Sequence, residues 1–277
     1  MNGAELSAAL RNGTRVYGTC VVSTSPKWPA MIAGAGLDFA FIDTEHMPIQ
    51  REQLAWMCQA YSALGLAPIV RIPEPDPYLA CMALDGGAEG IIAPYVESVS
   101  QVRALRGAVK FRPLKGRRLH NILEGREQPE PELAAYLRKW NAGKVMIVNI
   151  ESVPALDALD DILAVPELDA LLVGPHDLSL NLGIPEQYDH PRFNEAVSKI
   201  IRKARARNVG IGIHYSFGIE KEIAWGKEGA NLILHSSDYF LVKDALAADL
   251  KTFRNALGDS PSRTVPERPV PSDTGVI

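Results

Sequence analysis

Cysteine is scarce in this chain, with three residues in 277, and Cys20, Cys58 and Cys81 share no CxxC spacing. An odd count without paired spacing excludes a disulfide framework and points to reduced thiols in a reducing compartment. Basic residues are not in excess: 29 Lys and Arg stand against 33 Asp and Glu, for a net charge of −4. That balance leaves no positive field for a phosphate backbone, so nucleic acid is not expected as a partner. Lys115-Gly116-Arg117-Arg118 is too short a basic cluster to change this, although it suits a single anionic substrate. No run of 18 or more apolar residues occurs, which excludes a membrane-spanning helix, and Met1 to Gly18 lacks the apolar core of a secretory signal. Walker A, HExxH and GxSxG patterns are missing. Gly34-Ala35-Gly36 lacks a third glycine and precedes a strand, so it is no dinucleotide site. A soluble, cytoplasmic protein is expected.

What is present is a chain of short apolar runs alternating with longer amphipathic segments, the pattern of repeated β-α units around a parallel sheet. Eight runs read as strands: Tyr17–Ser23, Phe39–Ile42, Pro68–Arg71, Gly90–Ala93, Val145–Ile150, Ala170–Val173, Gly210–Ile213 and Leu232–His235. Eight such units predict one (β/α)8 TIM barrel over residues 1–257, with an open doubly wound sheet as the alternative. Pro48 to Leu64 reads as a helix stopped at Gly65. Ser152-Val153-Pro154 opens another, and His190-Pro191 opens one that runs to about Arg207. Phe111 to Trp140 is long for a connection and reads as a lid followed by a short helix. Residues 258–277, rich in Pro, Ser, Thr and Arg, read as a mobile tail.

In a barrel the chemistry sits after the C-terminal ends of the strands. Strand two ends in Asp43-Thr44-Glu45-His46, three ionisable groups that are expensive to desolvate without partners. A histidine beside a carboxylate suits a general base, although an ordinary salt link has the same look. Strand three ends in Arg71, a planar fork of donors for a carboxylate or enolate oxygen, or equally for a rim salt bridge. Strands five and six are neighbours in a barrel and end in Asn149-Ile150-Glu151 and Gly174-Pro175-His176-Asp177. Glu151 and Asp177 then suit a hard octahedral cation such as Mg2+ or Mn2+, with an N-cap and a rim salt bridge as the plainer reading. The Gly174-Pro175 turn leaves backbone N–H groups for a carboxylate.

Taken in order, Ile42 to His46, Val70-Arg71, Asn149 to Glu151 and Val173 to Ser179 resemble the motifs of the HpcH/HpaI aldolase family, from about Gly18 to Leu257. The resemblance implies Glu151 and Asp177 as metal ligands for Mg2+, Mn2+ or Co2+, and His46 as the base with Asp43 orienting it. It implies Arg71 as the group that stabilises the enolate, and Asp85 as an acid that raises the basicity of the histidine, acting across a subunit contact. Asn149, Gly174, Pro175, His176 and Arg117 become substrate-binding positions. Asn149 departs from the glutamine frequent in the family, and Phe111 to Arg118 keeps only part of the lid motif. The implied assembly is a homo-oligomer, a hexamer, with the C-terminal helix Asp238 to Leu257 exchanged between neighbours.

The reaction implied is reversible cleavage of a 4-hydroxy-2-oxo acid into pyruvate and an aldehyde, a carbon–carbon lyase activity. A CoA-ester lyase of the citrate or malyl-CoA type is the enzymatic alternative. A catalytically silent barrel that binds a 2-oxo acid is the other.

Overall fold

A computed structural model describes residues 1–260. The strands are β1 (Val16–Val21), β2 (Phe39–Asp43), β3 (Ala67–Arg71), β4 (Gly90–Ala93), β5 (Val145–Asn149), β6 (Ala170–Val173), β7 (Gly210–Tyr215) and β8 (Leu232–Ser237). All pair in parallel in chain order, and β8 returns to β1, closing the barrel. The expected eight strands are therefore present and the open sheet is not; only strand ends move, by one or two residues.

The helices up to β5 are α1 (Gly3–Asn12), α2 (Trp28–Ala33), α3 (Arg51–Ala63), α4 (Pro77–Asp85), α5 (Val99–Lys110), α6 (Gly116–Leu123) and α7 (Pro131–Trp140). After β5 come α8 (Val153–Asp157), α9 (Leu159–Leu163), α10 (Pro175–Asn181), α11 (Pro191–Ala206), α12 (Ile219–Glu228) and α13 (Asp238–Leu257). The expected tail begins as Gly258 closes α13 in the left-handed conformation, and residues 261–277 lie outside the described residues.

Period-two alternation divides the strands into two packed layers. Phe39, Phe41, Ile69, Ile92, Ile147, Leu172, Leu232 and Leu234 fill the interior, while Ile42, Val70, Ile91, Val148 and Val173 pack outward on the helices. The same alternation carries Asp43, Arg71 and Asn149 onto the inner face at the upper end. α1 was not anticipated. Its Asn2–Glu5 capping box starts a helix whose Leu6 and Leu10 join the interior cluster, plugging the barrel from below.

That lower end is fastened by Asp169, just before β6. Its fully buried carboxylate accepts from Ser7 Oγ (2.6 Å), Arg11 Nε (2.9 Å), Lys110 Nζ (2.7 Å) and the Met146 N–H (2.8 Å). One side chain thus joins α1, α5, β5 and β6.

The segment 111–140 corrects the expected lid. α5 runs down the outside of the barrel, and Lys110 at its foot binds the carbonyl of Lys144, directly before β5. Arg112 follows and donates to Asp85 at the foot of α4 (2.8 Å), while Asn141 holds the Arg112 carbonyl (2.8 Å). α6 lays Leu119 and Leu123 on α5 beside Gly107. The segment therefore packs on the lower outer wall of its own barrel, at the end opposite the mouth.

α13 is tied to the barrel at its start, where Asp238 accepts from the Val22 and Ser23 N–H groups (each 3.1 Å) and from Trp28 Nε1 (2.6 Å). Beyond that turn Val242, Leu246, Leu250, Phe253 and Leu257 form an exposed apolar stripe at helical spacing.

Removing the Asp169 carboxylate leaves Lys110 and Arg11 without their shared partner. Asp169→Ala is expected to cost about 3 kcal/mol of stability. Urea unfolding at fixed protein concentration checks this, and a midpoint equal to wild type contradicts the role.

Candidate active site

The mouth of the barrel gathers acid. Asp43 is fully buried at the end of β2, and the Arg71 guanidinium from β3 clasps it in a bidentate pair, Nε to Oδ1 and Nη2 to Oδ2, both at 2.8 Å. Register explains the meeting, because Asp43 and Arg71 are direct partners across β2 and β3. Arg71 Nη1 also lies 3.2 Å from Glu45 Oε2, and the guanidinium carbon sits 5.3 Å from the centre of the Phe41 ring. Burial opposes the charge on Arg71, but Asp43 and Glu45 more than restore it and hold its pKa above the usual value. Burial likewise opposes the Asp43 carboxylate, and Arg71 more than offsets that, keeping it below the ordinary carboxylate range.

This pairing changes the expected part of Asp43. Its two oxygens go to Arg71 and to the Glu45 N–H (3.0 Å), and the acid against His46 is Glu45, whose Oε2 lies 3.6 Å from His46 Nε2. The sequence offered Glu45 only as a salt-link partner of His46, and the structure places the two side by side. Burial, and the nearby Glu151, Asp43 and Asp177, push Glu45 up to about 7 against the pull of Arg71. Burial and Arg71 push His46 down, favouring its neutral ring.

Glu151 follows β5 and is 3% exposed. Its Oε1 accepts the Tyr95 N–H (2.6 Å) and its Oε2 accepts Asn149 Nδ2 (2.9 Å). Burial and Asp177 still raise it to about 7. Asp177, on the first turn of α10, is close enough to disfavour the charge on both Glu151 and Glu45. A Cβ on Gly174, directly after β6, would run into Glu151 Oε2, so a larger residue there would have to displace the carboxylate. The buried Asn149 Oδ1 has no hydrogen-bond partner. Pro175 is buried in the first turn of α10. The Nδ1 of His176 is sealed from solvent 3.6 Å from Glu186 Oε1, beyond hydrogen-bond reach. His214 lies inside the barrel with Nε2 3.0 Å from the Ser236 carbonyl; burial and Arg71 push it down to about 4.

Asp43, Glu45, His46, Arg71, Asn149, Glu151, Gly174 and Asp177 are thus brought to one rim. Asp85 and Arg117 are not. Asp85 is the last residue of α4, mostly exposed and paired with Arg112, and Arg117 is exposed on α6. Both stand at the lower end of their own barrel. Tyr95 was missed by sequence reading, since a backbone N–H leaves no signal in residue type.

Among the described residues no three His, Cys, Asp or Glu side chains form a closed metal cage. Glu151 and Asp177 offer a more open donor set: hard oxygens, a cluster of acid short of positive charge, and an orphaned amide oxygen beside it. That set fits a divalent cation completed by water and substrate.

Comparison with known proteins places the chain in a family. The profile of the HpcH/HpaI aldolase/citrate lyase family matches residues 17–245. A 2-keto-3-deoxy-L-rhamnonate aldolase of Shigella boydii is 30% identical over 89% of this chain and 91% of its own length. A 2-dehydro-3,6-dideoxy-6-sulfogluconate aldolase of Pseudomonas putida is 34% identical over 74% of this chain and 79% of its own. The crystal structure of an HpcH/HpaI aldolase from Desulfitobacterium hafniense superposes with a TM-score of 0.79 at 29% identity, covering 92% of this chain and 99% of that one. The chain therefore belongs to the HpcH/HpaI aldolase/citrate lyase family.

Proposed function

We propose that the protein is an aldolase that reversibly cleaves a 4-hydroxy-2-oxo acid into pyruvate, or a related 2-oxo acid, and an aldehyde. The observation that carries this reading is the gathering of Glu45, Glu151 and Asp177 at one rim beside the Arg71–Asp43 clasp, with Glu151 held by the Tyr95 N–H and Asn149. The names of the two aldolase relatives support a 2-keto-3-deoxy sugar acid as the substrate class.

Glu151 and Asp177 would hold a divalent cation, Mg2+ or Mn2+ in the first place and Co2+ as a further candidate. When bound, the cation supplies Lewis acidity that makes the enolate of a 2-oxo acid accessible near neutral pH. Arg71 has five N–H donors, of which Nε–H and one on each terminal nitrogen face Asp43 and Glu45. The remaining two are free to meet the oxygens on which charge develops, and the clasp of Asp43 removes the cost of orienting them during reaction. His46, kept neutral by burial and Arg71, accepts the proton of the 4-hydroxyl in cleavage and returns it in synthesis. At the turn through Gly174 and Pro175, where proline itself has no donor, the N–H groups of His176 and Asp177 would be presented to the substrate carboxylate. Asn149 positions Glu151 through its amide nitrogen, and its buried oxygen has no partner within the protein.

Asp85 and Arg117 stand at the wrong end to serve their own mouth, so we assign them to the site of a neighbouring copy, Asp85 tuning its histidine and Arg117 meeting its substrate. The stripe on α13 supports the same assembly: a homo-oligomer, taken as a hexamer, in which this helix packs on its neighbour. Three unpaired cysteines, two of them buried, support a cytoplasmic setting.

Pyruvate release from a panel of 4-hydroxy-2-oxo acids, with and without EDTA, tests the reading. Glu151→Gln and Asp177→Asn are each expected to abolish Mn2+ binding and cleavage; retained EDTA-sensitive activity in either would remove the ligand assignment. His46→Ala is expected to keep Mn2+ binding and slow oxaloacetate decarboxylation while cleavage falls about 10²- to 10⁴-fold; an unchanged cleavage rate acquits the histidine. Leu246→Glu with Phe253→Glu is expected to lower the mass measured by light scattering, and a monomeric wild type would refute the assembly.

A further inference from the structure

The loop after β4 carries a strained residue that the chemistry above does not use. Tyr95 sits at φ 48°, in the left-handed region that favours glycine. A side chain held there is strained, so the surrounding structure must compensate it. Two contacts do so. The Tyr95 N–H donates to Glu151 Oε1 at 2.6 Å, and the phenol oxygen accepts from Asn181 Nδ2 at 2.9 Å. The same Asn181 nitrogen also donates to the Asp177 carbonyl at 3.2 Å. Since β4, β5 and β6 are consecutive in the barrel, the Tyr95 side chain spans from the β4 loop to α10 past the end of β5, where Glu151 lies. Its backbone holds one carboxylate-bearing loop and its hydroxyl reaches the helix that bears the other.

We propose that Tyr95 and Asn181 form a strap across the barrel mouth that sets the spacing of Glu151 and Asp177, and so act as positioning residues for the cation. This rests on the reading of those two acids as cation ligands. The left-handed backbone points the N–H at Glu151 while the ring extends toward α10. Asn181 is exposed and the ring is partly so; their hydrogen bond is not a product of core packing.

The test is Mn2+ titration of the full-length protein by calorimetry, together with thermal unfolding of the metal-free form. Tyr95→Phe removes the hydroxyl and keeps the backbone donor. It is expected to weaken Mn2+ binding about fivefold, the size of one hydrogen bond, with no change in the metal-free unfolding temperature. Asn181→Ala is expected to weaken it at least as much, and the double variant no more than Asn181→Ala alone. Wild-type Mn2+ affinity in Tyr95→Phe, or losses that simply multiply in the double variant, would overturn the strap while leaving the ligands in place. If Glu151→Gln binds Mn2+ as tightly as wild type, the ligand reading itself fails and the strap with it. A lowered metal-free unfolding temperature in Tyr95→Phe would make the contact a stability element and also overturn the proposal.

Discussion

The clasp between Arg71 and Asp43 is the interaction on which the mouth of this barrel depends. Four carboxylates, Asp43, Glu45, Glu151 and Asp177, meet at one rim, and Arg71 is the cation set among them. Two like charges 4 Å apart at an effective dielectric of 20 repel by about 4 kcal/mol. Arg71 spends its paired edge on Asp43 and one further donor on Glu45, so two acids are compensated directly. Glu151 receives only a backbone N–H and an amide, which hold its geometry without supplying a positive charge. In the proposed reading a bound cation would offset the crowding at Glu151 and Asp177, while the locked guanidinium keeps its remaining donors aimed.

The two ends of the barrel divide their work. Below, Asp169 brings four elements together around one satisfied carboxylate, and α1 closes the opening with leucine side chains. Above, charges are left partly uncompensated and Tyr95 is held in a conformation that costs energy. A rim of this kind is stable only on a base that does not move, and the stability of the lower layer is what allows the upper one to be strained. The strap extends this logic along the rim, using the adjacency of three strands to control the distance between two acids.

Position also explains why residues that look catalytic by motif are absent from their own mouth. A βα unit carries the chain up through the strand and down through the helix, so whatever ends a helix arrives at the lower end. Asp85 closes α4 and Arg117 begins the helix after the foot of α5, and both are therefore on the far side of the barrel. Their use at a mouth requires a second copy of the chain.

Much of this was legible in the residues. Continuous apolar runs such as Val145 to Val148 announced strands buried on both faces, and eight of them alternating with helices announced a closed barrel. Ionisable residues directly after those runs marked the rim, because a strand end is where a polar side chain can leave the core without crossing it. The sequence by itself thus determined the fold class and which positions face the mouth, since both follow from local periodicity. Tertiary structure alone decided the partners: that Asp43 is taken by Arg71 and leaves Glu45 to His46, that the 111–140 segment lies on the lower wall, and that the Tyr95 N–H meets Glu151. Those outcomes depend on register between strands, on the left-handed turn at Tyr95 and on the direction in which helices return, and none of these is written in the type of a residue.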